Sequence, residues 1–486
     1  MPSFNNGRIF TAAKSTEEMS PFPTGVNITN GYYTASAAFE DPRQYSLIIP
    51  PGRAYLYDPR TDGYVRVANP GFSLTVNIAG TCLAWNPNGP SGTATGGGSN
   101  YIDTTFTSII GLDGYKVRIV AGTGAGQERT IAYHLIGAST RFYVTQNWST
   151  APDNTSQYVI RSGRFYMVAG NTSVLFRYFD IATLAWTTLS GTGLPVFSNV
   201  GSLVAPGGVV FSSGAVTSAT ANTLTASTKN YGTDQWANQM VRIVSGPGAG
   251  QTRTISSNTA TQLTVSANWT TQPTSSSTFE ISGNEDHLYL GGNAAITLYR
   301  YTISTNSWAT LSPVAARSAV TGGARPLILV DRETSPYWIN EANYINGRRL
   351  YSFTGSNGNR LHYYDISANT WFNDVNVGGS NTFDYGNRGP LLSAGVQLAY
   401  VPGRILIADP TTVMMWAFIP VHNTMIPYKR LSPPTISSAG SDRTMTHMYT
   451  APDGKRVYFA MFPMAYHVGN ARMVRVQVHD DAYTPP

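Results

Sequence analysis

The sequence predicts an all-β chain: a six-bladed β-propeller carrying two inserted small β-modules. Three observations lead to this reading. Helical periodicity is almost absent, and short runs rich in Val, Ile, Tyr, Phe and Thr alternate with Gly, Pro, Asn and Asp. A strand–turn–aromatic pattern recurs six times along the 486 residues. A second, longer repeat occurs twice and interrupts the first.

Taken in order, residues 1–40 read as an N-terminal arm able to supply a ring-closing strand, and 41–486 as the propeller. The blade pattern first appears in Ala54-Tyr-Leu-Tyr-Asp-Pro-Arg-Thr-Asp-Gly-Tyr64. It returns in Leu175-Phe-Arg-Tyr-Phe-Asp-Ile-Ala-Thr-Leu-Ala-Trp186, Leu298-Tyr-Arg-Tyr-Thr-Ile-Ser-Thr-Asn-Ser-Trp308 and Leu361-His-Tyr-Tyr-Asp-Ile-Ser-Ala-Asn-Thr-Trp371. Ile405-Leu-Ile-Ala-Asp-Pro-Thr-Thr-Val-Met-Met-Trp416 is a fifth copy, and Val474-Arg-Val-Gln-Val-His-Asp-Asp-Ala-Tyr483 the weakest. Partner strands are expected to begin near Gln44, Arg164, His287, Arg349, Gln397 and Arg456.

Each part of the pattern has a physical reason. Alternating residues of a hairpin face the neighbouring sheets. The turn Asp accepts backbone N–H groups, and the aromatic after the turn covers the gap to the next blade. A closed ring removes exposed sheet edges. The pattern resembles the kelch-type repeat, for which Gly207-Gly208, Gly322-Gly323 and Gly378-Gly379 would be the glycine pairs. Without the two inserts and residues 1–40, about 51 residues remain per blade, against about 50 for a kelch repeat.

The inserts are assigned to 92–162 and 214–283. Val117-Arg-Ile-Val-Ala-Gly-Thr-Gly-Ala-Gly-Gln-Glu-Arg-Thr-Ile131 matches Val241-Arg-Ile-Val-Ser-Gly-Pro-Gly-Ala-Gly-Gln-Thr-Arg-Thr-Ile255, and Asn147-Trp-Ser-Thr-Ala-Pro152 matches Asn268-Trp-Thr-Thr-Gln-Pro273. The glycines lead into strand-like residues with no Lys, so they read as a turn and not as a phosphate loop, which needs a helix start. The module resembles a β-module of tailed-bacteriophage virion proteins. That resemblance implies a particle component, in contact with other virion proteins and with copies of itself, and assembled in the host bacterial cytoplasm. Gln127, Arg129, Gln251 and Arg253, at the insert turns, are the candidate binding residues.

Composition narrows the rest. Charged residues make up 12% of the chain, about half the usual share, and 27 of the 32 basic residues are Arg. With 29 Tyr and 9 Trp, this reads either as the composition of contact surface or as a genome-level preference for Arg over Lys. No cluster of four basic residues appears, so direct nucleic-acid binding is not expected. No apolar run spans a bilayer, and residues 1–22 lack a secretory h-region, which suits a cytoplasmic start. Cys82 alone forms no disulfide framework. The histidines have no metal spacing, and neither a metal nor a cofactor is expected. The leading function is a structural part of the tail or head-to-tail region. A receptor- or glycan-binding spike is the alternative, with Trp338 and Tyr344 as candidate sugar contacts. A propeller glycosidase or oxidase comes third: it would draw on Asp331, Glu333 and Glu341 or on Cys82, and the expectation is that the chain is not an enzyme.

Overall fold

A computed structural model describes residues 16–21, 35–38, 46–49, 53–58, 61–71, 82–107, 111–137, 139–169, 175–194, 202–206, 210–291, 297–315, 328–329, 349–353, 361–375, 397–401, 404–409, 414–419, 424–430, 443–445, 449–450, 456–463 and 472–477. Every regular element among them is a β-strand. Six antiparallel sheets follow one another along the chain as blades. The first comprises Ala35–Ala38, Ser46–Ile49, Ala54–Asp58 and Gly63–Val67, and the second Cys82–Asn86, Arg164–Val168, Phe176–Asp180 and Ala185–Thr188. The third comprises Ser202–Val204, His287–Gly291, Leu298–Thr302 and Ser307–Thr310, and the fourth Ile328–Leu329, Arg349–Phe353, Leu361–Asp365 and Thr370–Val375. Gln397–Val401, Arg404–Asp409, Met414–Ile419 and Thr424–Arg430 make the fifth.

The sixth blade draws on both ends of the described chain. Thr16–Pro21 pairs with Arg472–Gln477, which pairs with Arg456–Pro463. Arg443–Met445 and Tyr449–Thr450 complete its inner edge. The first strands of neighbouring blades lie side by side from the first to the third blade, from the fourth to the sixth, and from the sixth back to the first. The third and fourth blades meet through Tyr289, Leu298, Leu350, Tyr364 and Trp371. The ring is therefore closed: a six-bladed propeller.

Aromatic side chains weld the blades. Trp308 of the third blade meets Phe176 of the second edge-on at 5.0 Å, and Tyr351 of the fourth lies 5.8 Å from Phe418 of the fifth. Trp186 donates its indole N–H to the Ala68 carbonyl beyond the first blade, at 2.7 Å. Such aromatic pairs contribute about 0.5–1.5 kcal/mol each beyond simple area burial.

The hairpin turns obey a local rule. The residue two before the after-turn aromatic of the second, third and fourth blades adopts positive φ: Leu184 (52°), Asn306 (48°) and Asn369 (46°), and Asp62 (51°) also does in the first blade. Tyr57, Tyr301 and Tyr364 donate their hydroxyls to Asp62, Asn306 and Asn369 at 3.0, 2.7 and 2.7 Å. In the second blade both partners change together, to Phe179 and Leu184, so no hydroxyl is stranded without an acceptor. Likewise Arg164 pairs with Asp180 at 2.9 Å, whereas the third blade sets His287 opposite Thr302.

The fifth copy of the blade pattern sits one place further in than the others, with its expected partner strand at Gln397–Val401. Its Arg404–Asp409 strand is second in its sheet, whereas the matching strands of the first four blades are third. The preceding strand Gln397–Val401 is its partner and takes the inner place, beside the first strands of the neighbouring blades. The three glycine pairs lie outside the described residues.

Both modules are inserted between the first and second strands of a blade, the second blade for module 1 and the third for module 2, and therefore on the same face of the ring. Each is a seven-stranded sheet whose two terminal strands are adjacent in sequence: Ser91–Thr93 and Gly96–Gly98 in module 1, Val210–Ala215 and Ser218–Ala219 in module 2. The sheet thus closes on itself as a small barrel. Eight core positions of the two modules correspond one to one. Val117, Ile119, Ile131, Phe142, Val144, Trp148, Tyr158 and Ile160 in module 1 answer to Val241, Ile243, Ile255, Leu263, Val265, Trp269, Phe279 and Ile281 in module 2.

Candidate binding site between the two inserted modules

The glycine turn connects two strands in each module, Lys116–Ala121 to Glu128–Ile136 and Met240–Ser245 to Thr252–Asn258. Gly122, Gly124 and Gly126 have φ of 75°, 78° and 93°, and Gly246, Gly248 and Gly250 have 76°, 81° and 88°. L-residues rarely adopt these values, which explains the strict spacing. The residue after the turn enters a strand, so no helix end is present to receive a phosphate.

Gln127 ties the turn to the second half of the motif. Its Nε2 donates to the Gly124 and Thr150 carbonyls at 3.0 and 2.8 Å, and its Oε1 accepts the Ser149 N–H at 2.6 Å. Gln251 repeats this with Gly248, Thr271 and Thr270 at 3.1, 2.7 and 2.6 Å. Arg129 and Arg253 each donate Nε to a carbonyl at 3.0 Å, those of Asn147 and Asn268, and lie 5.6 Å from the rings of Trp148 and Trp269. The four candidate residues from the sequence are thus brought together pairwise, as a clasp inside each module. Trp338 and Tyr344 lie outside the described residues, as do Asp331, Glu333 and Glu341.

The two turns then meet each other. A Cβ placed on Gly126 would lie 2.6 Å from the Gly250 amide nitrogen, and one on Gly250 would lie 2.5 Å from that of Gly126. Each would also press on the alanine of the other turn, Ala249 or Ala125. The contact is reciprocal, as in a two-fold interface, and only glycine permits it.

Beside this contact lies a cleft of about 810 Å³ lined by both modules and by blade residues. Arg118, Arg161, Arg242, Glu280 and Glu285 line it. Arg161 is bidentate on Glu285 at 2.8 and 2.9 Å and also donates to Asn88 Oδ1. Asn88 donates to Glu285 at 3.0 Å, and Asn86 to the Glu285 main-chain carbonyl at 2.8 Å. Arg118 lies 3.8 Å from Glu285 and donates to Glu128 at 2.7 Å. Arg161 directly follows the last strand of module 1, Gln157–Ile160, and Glu285 follows module 2, so the network joins both modules to the propeller.

Burial by itself would raise the Glu285 carboxyl, but the charges of Arg161 and Arg118 and the hydrogen bonds from Arg161 and Asn88 hold it at about 2. Glu128 is likewise held at about 2: Arg118, Arg161 and Lys116 overcome the burial that would raise it. Burial, with the nearby Arg161 charge, pushes Arg118 below its ordinary value. Cys82 is buried in the second blade, and burial pushes its thiol up to about 12. His287 is pushed down to about 4, by burial and then by the Arg300 charge.

Sequence reasoning did not assign Arg118, Arg161, Arg242 or Glu285. The signal for two of them was present, since Arg118 and Arg242 occupy the same place in the duplicated motif. Each has a cross-strand carboxylate, from opposite sides: Arg118 faces Glu128 where Arg242 faces Thr252, and Arg242 faces Glu280 where Arg118 faces Val159. Among the described residues no group of three or more His, Cys, Asp or Glu is placed to hold a metal. No helix among them is long and apolar enough to cross a membrane.

No protein-family model matches this chain, and no curated protein matches it. Among solved structures, it is similar to a catalytically inactive virginiamycin B lyase from Staphylococcus aureus with quinupristin, at 10% identity, TM-score 0.37, over 96% of this chain and 99% of that one. The RRP9 WD40 repeats align at 6% identity and TM-score 0.36, over 96% and 100% of the two chains. A chain of the mitotic checkpoint complex aligns at 9% identity and TM-score 0.35, over 99% and 96%.

Proposed function

We propose that the protein is a structural component of a tailed-phage particle, in the tail or head-to-tail region, where the propeller acts as a rigid assembly platform. The observation that carries this reading is the locked module pair. Two inserts on consecutive blades are joined turn to turn and pinned to the ring through Arg161, Glu285 and Asn88. Such an arrangement favours a fixed surface over a moving one.

The charge distribution supports the same reading. Acid–base catalysis by two carboxyls requires environments that push their pKa values apart. Glu128 and Glu285 are both held low and both are paired with arginine, which suits a structural lock. The partners in this reading are copies of the chain and other particle proteins, and the region of assembly is the host cytoplasm.

Mass spectrometry of purified particles, with copy number from cryo-electron microscopy, tests the proposal. A ring of defined symmetry supports it. A protein that stays monomeric, is absent from particles and captures no particle component overturns it.

A further inference from the structure

The duplication supplies its own control. The two modules share a core and a clasp but differ on one outer face. In module 1, Tyr133 stands opposite Tyr143 and Tyr143 opposite Tyr101 on three adjacent strands, and the next rung holds Leu135, Arg141 and Asp103. In module 2 the first rung is Ser257, Thr264 and Thr223, and Gln262 and Thr225 stand in the second. The rings are therefore dispensable for folding, because the same barrel forms with Ser and Thr in their places.

The side chains of module 1 are ordered by one another. Tyr133 and Tyr143 stack with centroids 4.6 Å apart and planes 15° apart, and Tyr101 lies 5.9 Å from Tyr143. Arg141 covers Tyr101 at 3.9 Å and grips Asp103 at 2.6 and 2.9 Å. Despite this stacking Tyr133 stays 49% exposed, and Leu135 is 55% exposed.

We propose that this face of module 1 is a saccharide-binding platform. A pyranose presents an apolar C–H face and a rim of hydroxyls. The outer face of Tyr133, left open by the stack, suits the first, and the fixed Arg141–Asp103 pair offers donors and acceptors to the second. Stacking has already restricted the rings, so little rotamer entropy is lost on binding. The patch comprises six side chains, whereas a stable protein interface needs about 20–30 residues a side. One or two sugar rings match its size. The inference is independent of the assembly reading, since a platform on module 1 functions whatever the propeller is attached to.

The test applies the full-length protein to an array of pyranose oligosaccharides bearing neutral, N-acetylated and uronic acid sugars, and follows hits by calorimetry. The triple variant Y101T/Y133S/Y143T gives module 1 the residues of module 2, and R141Q does so at the polar pair. The wild type is expected to bind at least one saccharide class reproducibly. The triple variant should lose at least tenfold in affinity and R141Q several-fold, with both melting like the parent. Absence of binding across the array overturns the proposal, as does unchanged affinity in R141Q. Loss of self-association in the variants with saccharide binding intact would also overturn it, by making the face a protein interface.

Discussion

Replacing Glu285 by Gln should destabilise the junction of the two modules, and the size of the effect follows from its environment. The carboxyl sits at about 2 instead of its ordinary 4.5, which corresponds to about 3 kcal/mol of folding free energy at neutral pH. The E285Q amide keeps the volume and removes the charge, leaving Arg161 and Arg118 buried without their shared counter-ion. Breaking such a buried pair costs about 3–5 kcal/mol, in agreement with that figure. The pH dependence adds a second constraint. Because the folded-state value lies below the unfolded one, the contribution is complete above about pH 4.5 and is lost as pH falls towards 2. The parent should therefore exceed E285Q by about 3 kcal/mol at pH 7, by about half of that at pH 3, and by almost nothing at pH 2. Urea unfolding followed by tryptophan fluorescence measures this difference, with hydrogen exchange of the strands on either side of Arg161 and Glu285 as a local readout. A variant within about 0.5 kcal/mol of the parent at pH 7, or a gap as large at pH 3 as at pH 7, would refute the reasoning.

Four further outcomes are expected. G126A or G250A should separate the modules, because the added methyl meets backbone of the opposite turn and φ is positive; protease sensitivity at both turns, rising together, is the readout. F179Y combined with L184N installs the hydroxyl–amide pair of the neighbouring blades, and a double-mutant cycle in thermal unfolding should give a favourable coupling of about 0.5–1.5 kcal/mol. Q127A removes the side chain that bridges the glycine turn and the Trp148 loop, and should cost about 1–2 kcal/mol of module stability by denaturant titration. Cys82, raised to about 12 by burial, should resist alkylation at pH 8 in the native protein and react at the rate of a free thiol once unfolded.

Much of the architecture was legible because it is local. A short strand rich in aromatic and branched residues, an Asp or Asn where the backbone needs an acceptor or positive φ, and an aromatic two residues later are consequences of neighbouring residues. They leave the same trace in the first four blades, and Phe179 with Leu184 shows that even the exceptions change together. The glycine spacing in the modules is equally local, since three positive-φ positions in five residues admit little else. The role of Gln127 and Arg129 was legible only in outline. Their place beside the turn marked them, but their donors turn inward to Thr150, Asn147 and Ser149. The place of the fifth copy within its sheet was not legible, because the motif records a hairpin and not its distance from the ring axis.

The sequence by itself determined the β class, the six hairpin repeats and the duplicated modules, because pleat period and turn chemistry are properties of adjacent residues. The tertiary structure decided which segments meet across long separations. Arg161 and Glu285 are 124 residues apart, and no local pattern announces that two separate barrels will share a carboxylate. Nor could the strand sequences alone tell that Tyr133, Tyr143 and Tyr101 form one rung and remain open, since ladder register is set by the closed barrel as a whole. Local hydrogen-bond and burial requirements fixed the parts, and the closure of ring and barrels determined which of their surfaces face each other.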